Sequence, residues 1–197
     1  MDVLESLKER YKKIAKEELK SDQNIVFGGG NIKGEIVLVG EAPGEKEEET
    51  GKPFVGAAGK NLDEFLNIIK LSRDDIYITN VVKIRPYKIN PKTGRKSNRP
   101  PNKREIQASL GILKEQLEFI HPKVVVTLGN VPLKALIGDN AAKIGTYHGK
   151  PIEINSFVLF PLYHPASIIY NRGLYETYIE DIKRLKAYLD EGLIGGS

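Results

Sequence analysis

The chain has 197 residues, with Lys+Arg 30 against Asp+Glu 26, a formal net charge of +4, 40% hydrophobic residues, and neither cysteine nor tryptophan. A chain of this length buries enough apolar surface to hold a core unaided, and the missing cysteines exclude a disulfide framework, a thiolate zinc site, a cysteine nucleophile and an iron–sulfur cluster held by four cysteines. The opening MDVLESLKERYKK lacks the apolar core of a signal peptide and no apolar run approaches the ~18 residues of a membrane span, so a cytoplasmic protein with no membrane attachment is expected.

Residues 3–19 place Leu4, Leu7, Tyr11 and Ile14 at helical spacing among charges, which predicts an amphipathic N-terminal helix. IVFGGGN then reads as a short extended piece and a glycine turn. EIVLVG (35–40) is a continuous apolar, β-rich run, the pattern of a strand buried on both faces, and DIYITN (75–80), KVVVTLG (123–129) and FVLFPL (157–162) repeat it. Helical periodicity falls between them, over about 57–71 and 102–119, in a shorter stretch after Asn130, and over about 173–189. Strands alternating with helices imply an α/β fold with a parallel sheet sandwiched by helices. No internal repeat and no dividing linker is present, so residues 1–197 read as a single domain.

The charge is unevenly spread. From Lys83 to Arg104 there are nine basic residues and no acidic one, leaving 21 basic against 26 acidic elsewhere. The Pro, Asn, Lys and Gly content of 84–102 cannot make a periodic apolar face and reads as a long surface loop. Its Lys83, Arg85, Lys88, Arg95, Lys96 and Arg99 are candidate contacts to a nucleic-acid phosphate backbone; a merely solubilising loop would normally mix signs.

In an open parallel sheet, ligands bind beyond the carboxyl ends of the strands. The first strand runs into Gly40-Glu41-Ala42-Pro43-Gly44, the second into Asn80, the third into Gly129-Asn130 and the fourth into Tyr163-His164-Pro165, gathering a carboxylate, an amide and an imidazole at one edge. His-Pro occurs twice, but His121 precedes a strand and is expected as a loop or capping residue, whereas His164 follows one. His148, in a turn, is expected at the surface. GEAPG offers exposed backbone N–H groups to an anion or to carbonyl oxygens. The acidic run Glu45 to Glu49 reads as a solvated face from which one carboxylate could reach the site. Phe54, between turn formers, is either a core plug or a stacking platform.

Taken in order, GEAPG, G-K-P-F-V-G-x-A-G (Gly51 to Gly59), Y-I-T-N-V-V-K (Tyr77 to Lys83), VVVTLG and Y-H-P-A-S (Tyr163 to Ser167) resemble the family-four uracil-DNA glycosylases over roughly residues 25–190. The resemblance implies a three-layer α/β/α sandwich around a four-stranded parallel sheet. It also implies an enzyme that flips uracil out of single- or double-stranded DNA and hydrolyses its N-glycosidic bond; that chemistry needs no metal, and a monomer is expected. Phe54 matches the aromatic that stacks on uracil, Asn80 the amide that reads its edge, and His164 the histidine near its carbonyl. Gly40, Glu41 and Ala42 match the motif lining the base pocket and water position, which makes His164, Glu41 and Asn80 the catalytic candidates. Gly44 and Glu47 lie near the wall expected to exclude thymine. Residues 166–171 resemble the loop that enters the minor groove, with Ile168 or Ile169 as a wedge or an ordinary buried isoleucine, and Arg172 beside it as a DNA contact.

The departure from the family is equally specific. Its members bind an iron–sulfur cluster through four cysteines, and here Ile84 stands in K-I-R-P and Ser109 in the following helix, so no cofactor is expected. Two other readings stay open, a glycosylase for hypoxanthine or xanthine and a non-catalytic nucleic-acid-binding protein.

Overall fold

The computed structural model describes residues 2–154 and 156–194, without the side chains of 168–170, 193 and 194. Helix α1 (Val3–Glu17) starts at Asp2, whose side chain accepts from the Leu4 N–H, and turns Leu7, Tyr11 and Ala15 inward at the i, i+4, i+8 spacing of one helix face. Strands β1 (Gly29–Gly30) and β2 (Ile36–Gly40) follow, then helices α2 (Glu45–Thr50) and α3 (Ala57–Ile68) and strand β3 (Tyr77–Asn80). A hairpin of β4 (Tyr87–Ile89) and β5 (Lys96–Asn98) leads to α4 (Lys103–Ile120), β6 (Val124–Leu128), α5 (Asn130–Ile137) and α6 (Ile144–Tyr147). The chain continues through β7 (Ile152–Ile154), β8 (Phe157–Leu162), α7 (Pro165–Tyr170) and α8 (Tyr175–Ile194).

The main sheet has six strands in the order β1-β3-β2-β6-β8-β7. The expected four-strand parallel sheet forms its centre, β3-β2-β6-β8. The two additional edge strands are antiparallel. They escaped the sequence reading because Gly29–Gly30 has no side chains to show a pattern and Ile152–Ile154 is only three residues long. Alternate residues of the buried strands feed opposite faces. Val37, Val39, Val125 and Leu159 pack with α1, α4 and α5, while Ile36, Leu38, Val126 and Phe160 pack with α3 and α8. This is the three-layer α/β/α sandwich.

The expected loop of 84–102 is instead built on the β4–β5 hairpin, with Tyr87 opposite Asn98 and Ile89 opposite Lys96. Its turn uses Gly94 at φ +69 and the Asn90 side chain, which accepts from the Lys92 N–H at 2.9 Å. His121 is the left-handed C-cap of α4, in line with the expected capping role. No helix of the described residues is long and apolar enough to cross a membrane.

The positions where the family carries cysteines are closed by other means. Ile84 is buried in the core on the α1/α4 face. The Ser109 hydroxyl donates to the Glu105 carbonyl at 2.7 Å and pairs at 2.9 Å with the Tyr11 hydroxyl, which accepts the Lys83 backbone N–H at 3.2 Å. These residues do not fit an iron–sulfur cluster, because they offer no thiolate and their oxygens are already bonded to one another. Tyr11→Phe strands the buried Lys83 N–H, which should cost about 1–3 kcal/mol; the expected result is a lower urea midpoint with an unchanged m-value.

Candidate active site

The site begins where two neighbouring strands end. Gly40 closes β2 and Asn80 closes β3, and the two are paired in register. A Cβ on Gly40 would lie 2.3 Å from Asn80 Oδ1 and 2.6 Å from Phe54 Cζ, so only glycine lets the amide and the ring converge there. Asn80 is 2% exposed. Its side-chain amide makes no hydrogen bond among the described residues, whereas its carbonyl accepts from Lys83.

Phe54 sits at φ +52, unusual for a residue with a bulky side chain, and is 5% exposed. Two features hold it in that conformation. The Arg73 guanidinium donates to the Phe54 carbonyl at 2.7 Å and the Gly59 carbonyl at 3.2 Å, and is itself anchored on Asp63 at 2.7 Å. Gly59 has no Cβ where one would lie 2.1 Å from the Phe54 oxygen. The ring faces His164, with centroids 6.2 Å apart and planes 28° from parallel. Phe54 is thus enclosed in the core with its ring turned toward His164, not an exposed aromatic.

Glu47 joins the first motif to the second. One carboxylate oxygen accepts the N–H groups of Val55 at 2.9 Å and Gly56 at 2.7 Å, and the other accepts that of Gly44 at 3.1 Å. The carboxylate is buried against the cavity and fully engaged by the backbone. Glu41 differs. Its carboxyl lies half-buried in an adjoining cavity that His164 also lines, and burial raises its pKa. Among the described residues the Glu41 carboxyl makes no hydrogen bond, whereas that of Glu47 is taken up by three backbone N–H groups.

His164 follows β8 and caps α7. Its Nδ1 accepts the Ala166 N–H at 3.1 Å, which assigns the proton of the neutral ring to Nε2. Burial lowers its pKa to about 4, so the neutral donor form holds at physiological pH. Together Ala42, Gly44, Phe54, Asn80 and His164 line a cavity of about 400 Å³. Asn98, at the base of the hairpin, lines this cavity and the adjoining one, its amide oxygen fixed by Arg85 Nε at 2.7 Å. Cavities of about 650 and 710 Å³ exist elsewhere but collect no strand-end residues of the main site.

The basic segment divides. Lys83 is 0% exposed and bonded to Thr79, Asn80 and Gln116, so it cannot meet a phosphate. Arg85 is buried and paired with Glu45 at 3.1 Å and Glu48 at 3.3 Å. Arg99 is half-buried, forked onto Glu105 at 2.8 and 2.7 Å. These three correct the expectation of a uniformly DNA-facing loop: carboxylates contributed by α2 and α4 neutralise the two arginines internally. Lys88, Arg95 and Lys96 are exposed, with the Lys96 ammonium 4.3 Å from the Tyr87 ring centroid. Arg172 is exposed beyond α7. The side chains of Ile168 and Ile169 lie outside the described residues. His148, expected at the surface, is half-buried and hydrogen-bonded at 2.6 Å to the buried Asp181, against the Tyr163 ring.

Sequence reasoning missed Asn98 and Arg73. Asn98 was hidden within a stretch read as irregular, and Arg73 acts on backbone carbonyls, which leave no side-chain motif.

Residues 27–188 match the Uracil DNA glycosylase superfamily. The chain is 40% identical over 195 residues to a Type-4 uracil-DNA glycosylase of Sulfurisphaera tokodaii, covering 94% of this chain and 84% of that protein. It is 39% identical over 198 residues to one of Saccharolobus solfataricus, covering 96% and 88%. With one of Thermotoga maritima it shares 36% identity over 192 residues, covering 95% of each.

The histidine makes a pH prediction. A ring with a folded pKa of about 4 and an unfolded value near 6.5 lets the unfolded chain bind more protons between those values, so its contribution is complete above pH 6.5 and is lost as pH falls toward 4. The stability difference between the native chain and His164→Gln, from urea unfolding at pH 7 and pH 4, should shrink by about 2–3 kcal/mol; a difference independent of pH contradicts a buried neutral His164.

Proposed function

The chain belongs to the uracil DNA glycosylase superfamily, and we propose that it is a DNA repair glycosylase that hydrolyses the N-glycosidic bond of uracil in DNA. The observation that carries this reading is the convergence of Phe54, Asn80 and His164, made possible by Gly40, on one cavity of a size to take a single base.

The base must leave the stack to be reached, at a cost of a few kcal/mol that protein contacts offset. Lys88, Arg95, Lys96 and Arg172 hold the phosphate backbone. Phe54 supplies the face for stacking, and the free Asn80 amide presents both a donor and an acceptor to the uracil edge, where cytosine offers the mismatched pattern. The Gly44–Glu47 side of the cavity is the wall against the thymine methyl group.

The bond between the sugar C1′ and the base N1 breaks with its electron pair leaving on the base. The Nε2–H of neutral His164 donates to the base carbonyl as that negative charge develops, and a donor so placed contributes roughly 3–4 kcal/mol. Water then adds to the cationic sugar carbon and loses a proton to solvent, while the departing uracil anion takes up a proton from solvent, leaving an abasic site and free uracil. The adjoining cavity, lined by Glu41 and Asn98, is where this water is held. Every group in the scheme comes from one chain, so the site needs no second copy to complete it, as expected of a monomer.

Oligonucleotides carrying uracil, cytosine, thymine, hypoxanthine or xanthine, scored by alkaline strand scission, test the scheme. Uracil alone should be excised. His164→Ala should slow excision about 10²- to 10³-fold while retaining DNA binding, and Asn80→Asp should abolish the preference for uracil over cytosine. Excision of another base in place of uracil, or an Asn80→Asp enzyme of unchanged preference, overturns the assignment.

A further inference from the structure

Lys83 follows Asn80 by three residues and is wholly enclosed. Its Nζ donates to the Asn80 carbonyl at 2.7 Å, to Thr79 Oγ1 at 2.6 Å and to Gln116 Oε1 at 2.7 Å. The Thr79 hydroxyl has two carbonyl oxygens to donate to, that of Phe27 at 2.9 Å and Gln116 Oε1 at 3.2 Å. Gln116 is oriented by its amide nitrogen, which donates to Phe27 O at 3.1 Å and Tyr77 Oη at 3.0 Å. With both neighbours so fixed, the cage presents three acceptors. A neutral amine has two N–H groups and a lone pair, and would turn that lone pair on one of them; the ammonium satisfies all three. The Phe27 ring, 5.6 Å from Nζ, adds a favourable face.

What the cage lacks is a negative charge. Its acceptors are all neutral, and burial accordingly pushes the lysine well below its ordinary pKa. An uncompensated buried cation is costly where packing alone is needed, because an apolar side chain of similar volume fills the same space without a desolvation penalty. Here the cation stands directly behind the residue that meets the substrate. The one negative charge the proposed reaction creates appears on the departing base, on the other side of Asn80.

We infer that Lys83 is a positioning residue for uracil excision, fixing the Asn80 main chain and supplying a positive potential matched only when the leaving base becomes anionic. The inference rests on the uracil-excision reading. By Coulomb's law at an effective dielectric of about 20, a unit charge roughly 8–10 Å from any developing anion contributes about fifteen- to thirtyfold in rate, which sets the scale expected here.

Leaving-group dependence separates this role from simple structural support. Single-turnover excision is measured on single-stranded oligonucleotides carrying uracil or 5-fluorouracil, whose anion is the more stable of the two. Lys83→Met should lose about fifteen- to thirtyfold on uracil and several-fold less on 5-fluorouracil, with DNA affinity within about twofold of the native chain. Gln116→Glu should show the same pattern, since it keeps the lysine and cancels its charge, and it carries the test if Lys83→Met fails to fold. Equal losses on both bases, or no loss in a variant that melts cooperatively, overturn the inference. A native chain that excises neither base overturns the underlying reading instead.

Discussion

The base pocket depends on one buried carboxylate. Glu47 accepts backbone N–H groups from Gly44 on one side and from Val55 and Gly56 on the other. Those three bonds join the turn after β2 to the loop carrying Phe54, two segments with no ladder between them. Charge-assisted bonds to backbone N–H groups are among the stronger hydrogen bonds available to a protein. They also explain why small residues surround the carboxylate: a Cβ on Gly44 would lie 2.8 Å from Glu47 Oε2, and one on Gly56 would lie 3.1 Å from Oε1. With the two segments joined, Arg73 fixes the Phe54 carbonyl and Gly40 admits the ring beside Asn80.

A second consequence concerns charge. Arg85 and Arg99 act within the protein, tying the hairpin to α2 and α4 through Glu45, Glu48 and Glu105. Arg85 also orients Asn98 at the edge of the cavity. The acidic run on α2 is thus partly a counter-charge for the hairpin rather than a solvated face. The outward cations of the hairpin are Lys88, Lys92, Arg95 and Lys96. The Tyr11, Ser109 and Lys83 backbone contacts, together with the arginine pairs, cross-link the region where α1, α4 and the hairpin meet.

The central strands and long helices were legible because a buried parallel strand is apolar throughout and a surface helix is apolar every three to four residues. The positions of Gly40, Asn80 and His164 followed from the rule that strand ends gather the site. Other features were not legible for definite reasons. The β4–β5 hairpin has three-residue strands without alternation, so no period reveals it. The burial of Lys83 is decided by Thr79 and Gln116, from strand and helix, and a basic residue among eight others of the same sign reads as exposed. Glu47 reads as one of several acidic residues until the fold brings the Val55 and Gly56 N–H groups to it. The enclosure of His148 likewise depends on Asp181, which lies 33 residues further along the chain.

On the proposed function, a single extruded uracil occupies the cavity between these elements. The most direct test is a crystal structure with an oligonucleotide containing 2′-fluoro-2′-deoxyuridine, whose glycosidic bond resists cleavage. The expected structure has an extruded uracil stacked on Phe54, its edge on the Asn80 amide and a carbonyl oxygen within hydrogen-bonding distance of His164 Nε2. A uracil left in the DNA stack, or seated in a different cavity, would contradict it.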